Sequence, residues 1–209
     1  MNLLVADIGG TNARFAYKHS TSGPLSHFSY LKCANFQNIF DAIKYYQEEN
    51  NLNIKNMSIA VASTTKHDAI KFTNNNWCFK QSEVFKHFKL DKLIFINDFV
   101  AQSLCFGAFY KNLTKDPSIN NKNALDHKLD IIRPGIPMIK APLLVTGPGT
   151  GLGICSLLNL NGSSIAIEGE GGHTSFAPNS DKEIELLQFL KKKYDHVSNE
   201  RVVSGSGIE

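Results

Sequence analysis

Cysteine is scarce in this 209-residue chain. Cys33, Cys78, Cys105 and Cys155 form no C-x-x-C pair and keep no close spacing to histidine. That argues against both a zinc site and a disulfide framework, and reduced cytoplasmic thiols are the expectation. A dominant charge of one sign is also missing: the net charge of +3 is small and dispersed, so no nucleic-acid partner is indicated. The one compact basic run, residues 191–193, sits late in a helical pattern, where cations suit the helix dipole. Long apolar runs are absent too. The first one stops at Asp7, too short for the apolar region of a signal peptide, and nothing approaches the length needed to span a bilayer. No membrane partner and a cytoplasmic location are therefore expected. With 42% apolar and 20% charged residues, the composition suits a globular protein with a sizeable core in one large or two modest domains.

Against these absences stands the segment V-A-D-I-G-G-T-N-A-R-F-A-Y at residues 5–17, two strand-like runs flanking an acid-Gly-Gly-Thr-Asn turn. Such a turn suits a phosphate. Asp7 at a strand end can hold a metal ion through water, and Gly9 and Gly10 let backbone N–H groups approach phosphoryl oxygens, with Thr11 and Asn12 completing the turn. An ordinary glycine hairpin has the same pattern.

Strands are expected at 27–32, 57–62 and 93–96, and helices at 36–50, 82–88 and 98–109. The order of three strands, helix, strand, helix, strand, helix predicts an α/β mixed sheet with helices on its faces. Residues 111–141, rich in Asn, Asp, Lys and Pro, read as an excursion loop between a first domain at 1–110 and a second at 142–209. The second half opens like the first, with a strand at 142–146, a glycine turn, and strands at 154–159 and 163–168. Ser180 and Glu183 form a capping box before a helix with an apolar stripe at Ile184, Leu187, Leu190 and Tyr194. No further apolar strand follows, so the second sheet is expected to be incomplete.

Four segments carry candidate chemistry. The turn T-G-P-G-T-G-L-G, with Gly149, Thr150 and Gly151 at its centre, lacks the Lys-Ser/Thr of a Walker loop and precedes a strand rather than a helix. Paired with the Asp7 turn at an equivalent place, it can hold a second phosphate of one nucleotide. Asn97-Asp98 ends a buried strand at a helix start: Asp98 reads either as a helix cap or as a general base for a substrate hydroxyl, with Asn97 orienting a neighbouring hydroxyl. Glu170 and His173 share a glycine-rich loop; with no third ligand nearby, polyol binding fits them better than a metal. Glu200, next to Arg201, adds one more acceptor.

The segments A-D-I-G-G-T-N-A-R-F-A, T-N-N-N-W, I-N-D-F-V-A-Q, V-T-G-P-G-T-G-L-G, G-E-G-G-H-T-S-F-A-P and N-E-R-V-V-S-G-S-G resemble, in that order, the motifs of bacterial ATP-dependent glucokinases of the hexokinase/actin-like superfamily. The resemblance spans nearly the whole chain. It implies two ribonuclease-H-like domains and transfer of the γ-phosphoryl group of ATP to the 6-hydroxyl of glucose, with glucose, ATP and Mg2+ as partners and a homodimer as a further expectation. It implies Asp98 as the base, Asn97, Glu170, His173 and Glu200 on the sugar hydroxyls, Thr73 and Asn74 on the sugar side, and the two glycine turns on phosphates. The match departs from the family at residues 63–68, S-T-T-K-H-D, where a Pro-containing turn and a Gly-Asp pair are usual; Asp68 remains. Glucokinases of this type also continue past the Glu-Arg segment, through the rest of the second domain and the adenosine seat. A chain truncated at its C-terminus is thus expected, and a non-catalytic sugar-binding or interaction protein is the alternative to the kinase. The absence of a Cys cluster disfavours the related zinc-containing sugar kinases, and the opening strand disfavours a DNA-binding regulator.

Overall fold

A computed structural model of the chain describes residues 2–20, 23–72, 76–115, 132–133, 138, 141–160 and 163–209. Two compact units are present, Met1–Ala101 and Gln102–Glu209. The first is built on a five-stranded sheet. Strands β1 (Leu3–Ile8), β2 (Asn12–Lys18) and β3 (Leu25–Lys32) form an antiparallel meander, and β4 (Asn56–Val61) then pairs parallel with β1. A short hairpin of β5 (Ala69–Lys71) and β6 (Cys78–Lys80) precedes β7 (Lys92–Asn97), which pairs parallel with β4 to give the order β3-β2-β1-β4-β7. This is the expected mixed sheet; the β5–β6 hairpin is an addition to it.

Helix α1 (Ile39–Glu49) starts where the Asn38 side chain accepts the Asp41 N–H at 3.0 Å, and buries Ile39, Ala42, Ile43 and Tyr46. Together with Leu4, Ile8, Ile59, Val61 and Val84 of α2 (Gln81–His87), these side chains belong to one 22-residue apolar cluster, all of it in the first unit. Both helices end in six-to-one backbone bonds, Leu52 N–H to Gln47 O at 2.9 Å and Leu90 N–H to Phe85 O at 3.1 Å. Their exits pass through left-handed residues, Asn51 at φ 51° and Lys89 at φ 48°.

Helix α3 (Asp98–Lys115) runs six residues beyond the expected end at 109, and the division between units falls inside it. Most of the expected excursion loop lies outside the described residues. The second unit repeats the opening meander as β8 (Leu143–Pro148), β9 (Leu152–Leu160) and β10 (Ser163–Gly169), and among the described residues its sheet has three strands in the order β10-β9-β8. In the first unit the corresponding strand β1 has β4 on its second edge; among the described residues β8 pairs with β9 alone. Helix α4 (Asp181–Lys191) is capped as expected by Ser180, while Glu183 Oε2 reaches one residue further back and accepts the Asn179 N–H at 2.5 Å. Of its predicted stripe, Leu190 is buried but Ile184 is exposed. Two short helices follow, α5 (Asn199–Val203) and α6 (Gly205–Ile208).

Candidate functional site

In the first unit the turn between β1 and β2 is held on its protein side. Gly9 N–H donates to Asn12 O at 2.9 Å, Cys33 N–H donates to Thr11 O at 2.9 Å, and the Cys33 thiol donates to Gly9 O at 3.6 Å. These bonds occupy the turn's carbonyls, which would repel an anion. Asp7 lies directly across from Arg14 in the hairpin register, and Arg14 Nη1 meets Asp7 Oδ2 at 2.6 Å with both side chains about half exposed. Arg14 was not anticipated; because the turn fixes the hairpin register, residues seven and fourteen had to oppose each other, and that was the available signal. Among the described residues no cluster of three or more His, Cys, Asp or Glu could cage a metal ion. A single half-exposed carboxylate fits Mg2+ that keeps its waters and is bound mainly by nucleotide phosphates.

Asn97 and Asp98 sit at the junction of β7 and α3. Asn97, not Asp98, is the principal helix cap: its Oδ1 accepts the N–H groups of Phe99 at 2.9 Å and Val100 at 3.2 Å, while its Nδ2 donates to Ser63 O at 3.4 Å. Asp98 Oδ1 also accepts the Phe99 N–H, at 2.8 Å. Burial, reinforced by the negative charge of Asp7, pushes the Asp98 carboxyl above the usual carboxylate range, while the Phe99 hydrogen bond pulls the other way. A carboxylate so placed holds a proton more tightly than an exposed one, which is the direction a general base requires.

The segment that departs from the family pattern is tied to α2. Asp68 accepts the Ser82 N–H at 2.8 Å and its hydroxyl at 2.7 Å, and those bonds hold its carboxyl below the usual range. Gln81 Nε2 donates to Thr65 O at 3.1 Å and to His67 O at 2.8 Å. Side-chain anchors thus fix residues 65–68 without the rigid Pro. Thr73 and Asn74 lie outside the described residues.

In the second unit the glycine turn repeats the logic of the first. Gly149 N–H donates to Gly151 O at 2.7 Å, and Gly205 N–H, from the start of α6, donates to Gly149 O at 2.8 Å. Thr150 is exposed at its tip. Glu170 precedes a tight 3-10 turn, Gly171–His173, that brings His173 Nε2 within 3.6 Å of Glu170 Oε2 and His173 Nδ1 within 3.9 Å of Glu200 Oε1. The bridge between Ser175 and Ser198 and the bond from Asn199 N–H to Thr174 O, 2.9 Å, hold α5 beside that turn. Gly172 is required for the approach, because a Cβ there would stand 2.2 Å from Leu152 O. Glu170, His173 and Glu200 are therefore gathered at one place, two carboxylates flanking an imidazole, with hydrogen-bonding capacity suited to hydroxyls. Asn97 and Asp98 belong to the first unit and this trio to the second.

Comparison with known proteins bears on these features together. A family model described as Glucokinase matches residues 4–209. The glucokinase of Campylobacter jejuni subsp. doylei is 38% identical over 207 residues, covering 98% of this chain and 58% of that protein. That of Helicobacter pylori is 38% identical over 211 residues, with the same coverage. Among solved structures, a glucokinase from an Antarctic psychrotroph matches with a TM-score of 0.77 at 32% identity, over 99% of this chain and 62% of that one. A Balamuthia mandrillaris glucokinase crystallised with glucose matches at a TM-score of 0.65 and 22% identity, over 99% of this chain and 60% of that one, a likeness of fold. The architecture is that of the ribonuclease-H-like, actin-like ATPase fold. The chain spans a little under three fifths of the length of the curated relatives it matches.

Proposed function

Because the chain belongs to the glucokinase family, we propose that it carries the sugar-binding and phosphate-binding parts of a kinase that transfers the γ-phosphoryl group of ATP to the 6-hydroxyl of glucose. Asp98 carries the reading: a half-buried carboxylate at a strand-to-helix junction where Asn97 is the principal cap and Asp98 shares only the Phe99 amide with it, with its proton affinity raised. In this reading Asp98 accepts the hydroxyl proton as the oxygen attacks phosphorus, and the Asn97 Nδ2 donor orients a neighbouring hydroxyl. Glu170, His173 and Glu200 hold the remaining hydroxyls, and Thr73 and Asn74 add to the sugar side. The turns of Gly9, Gly10, Thr11 and Asn12 and of Gly149, Thr150 and Gly151 take the phosphates through N–H groups they do not use themselves, since the Gly9 and Gly149 N–H groups close the turns onto Asn12 O and Gly151 O. Mg2+, when bound with the nucleotide, supplies charge neutralisation beside Asp7 through water. The cytoplasm is the proposed location, since sugar and nucleotide meet there; among the described residues no helix is long and apolar enough to cross a membrane. A homodimer remains a proposal.

The experiment is a glucose titration by calorimetry alongside a coupled assay with Mg-ATP, on the wild type and Asp98→Asn. Catalysis by Asp98 predicts glucose binding in both and turnover only in the wild type. A second reading is sugar binding without phosphoryl transfer. It predicts binding without turnover in the wild type as well.

A further inference from the structure

Gly151 sits in the phosphate turn of the second unit, yet the atoms closest to it belong to a residue of the sugar trio. A Cβ built on Gly151 would lie 2.5 Å from Glu200 Oε2 and 3.2 Å from Glu200 Cδ, well inside contact distance. Its backbone is outside the left-handed region, so conformation is not what calls for glycine. Space is. The same Oε2 accepts the N–H of Leu152, the next residue of the turn, at 2.8 Å, while Oε1 faces His173 Nδ1 at 3.9 Å. One carboxylate thereby spans the turn and the trio, and the side chain is three-quarters buried in doing so.

We infer that Gly151 is a positioning residue for the sugar site, and that the second phosphate turn and the trio Glu170, His173 and Glu200 act as one coupled unit through the Glu200 carboxylate. The inference rests on the sugar-site reading above. The clashing atoms are the far end of a flexible side chain, so alanine at position 151 moves Glu200 rather than breaking the fold. Gly149 supplies the contrast: a Cβ there would find its nearest atom, Gly151 O, at 4.0 Å, so alanine fits without touching Glu200. Two substitutions in one turn then differ in their effect on a ligand that neither contacts. By linkage, whatever orders the turn also changes affinity for the sugar, and the sugar changes affinity for it by the same factor.

The test is calorimetric titration of glucose into the purified chain as wild type, Gly149→Ala, Gly151→Ala, Glu200→Ala and the Gly151→Ala/Glu200→Ala double variant. Hydrogen exchange of the Leu152 amide is measured on each without ligand. The expected result is Gly149→Ala within about twofold of wild type, and a loss of roughly tenfold or more for Gly151→Ala and for Glu200→Ala, with no further loss in the double variant. Exchange at Leu152 should rise in Gly151→Ala and Glu200→Ala but not in Gly149→Ala. If Gly151→Ala binds glucose like the wild type while Glu200→Ala does not, or if the two losses add, the coupling is overturned and the sugar site stands. If Glu200→Ala binds like the wild type, or the wild type binds no glucose, the sugar-site reading falls and the coupling falls with it. Gly151→Ala that fails to fold also overturns the proposal, because the substitution must be absorbed by one side chain.

Discussion

Denaturant should unfold residues 143–209 before residues 3–97. Among the described residues of 143–209 nine large apolar side chains are more than a third exposed, such as Leu144 at 67%, Phe189 at 51% and Ile165 at 48%, and Cys155, Leu157, Leu190 and Val197 are the buried apolar ones. Full burial of a Leu or Ile is worth roughly 1.5–3 kcal/mol, so each half-exposed side chain forgoes about 1 kcal/mol. Nine of them forgo on the order of 9 kcal/mol, comparable with the roughly 5–15 kcal/mol that stabilises a whole domain. The first unit also leaves six large apolar side chains more than a third exposed, but it sets against them a 22-residue buried cluster, where the second segment has four buried apolar residues among those described. Hydrogen exchange with mass spectrometry across a urea series reads the two segments separately, and two substitutions assign the transitions. Leu157→Ala should lower only the early transition, and Ile59→Ala only the late one, each by about 2–5 kcal/mol because both side chains are fully buried. A single coincident transition shifted equally by both substitutions would refute the reasoning.

Asp98→Asn should lower glucose phosphorylation about 10²–10⁴-fold while leaving glucose affinity within a few fold, since the amide keeps hydrogen bonds but takes no proton; paired titration and rate measurements check it. The folded state holds the Asp98 proton more tightly than the unfolded chain, so the associated stability is present below the unfolded carboxyl pKa and lost as pH rises through the raised folded value. Asp98→Asn should accordingly be more stable than wild type in urea at pH 7, with the gap closing below about pH 4. Lys89→Gly should raise the stability of the first unit by up to about 1 kcal/mol, because φ of 48° costs a side chain more than glycine; an unchanged or lowered urea midpoint contradicts it. Ser103 has a buried hydroxyl without a hydrogen-bond partner among the described residues, and Ser103→Ala should be neutral or stabilising by about 1 kcal/mol in a thermal melt.

What could be read beforehand was whatever repeats with a period or carries its own punctuation. The hairpin of β1 and β2, the Asn38 and Ser180 helix starts and the second meander are all local patterns, and they stand within a few residues of expectation. The β5–β6 hairpin was missed because its three-residue strands contribute only Ile70 and Phe79 to the core, too few for an alternation to register. Helix α3 outran its apolar pattern because a helix once nucleated extends over polar residues at little cost. At the site, residue types and motif order identified the candidates. The contacts that organise them did not show: Glu200 on the Leu152 amide and Gly205 on Gly149 join residues about fifty positions apart, and no period or turn signal encodes such a pairing. Asn97 taking the cap from Asp98 turns on which of two adjacent polar side chains faces the first helical amides, a matter of rotamer rather than residue type.

A crystal structure of the chain grown with glucose tests the central claim most directly. The account predicts a pyranose beside Asn97 and Asp98, its 6-hydroxyl about 3 Å from the Asp98 carboxylate. A sugar bound away from Asp98 would contradict it.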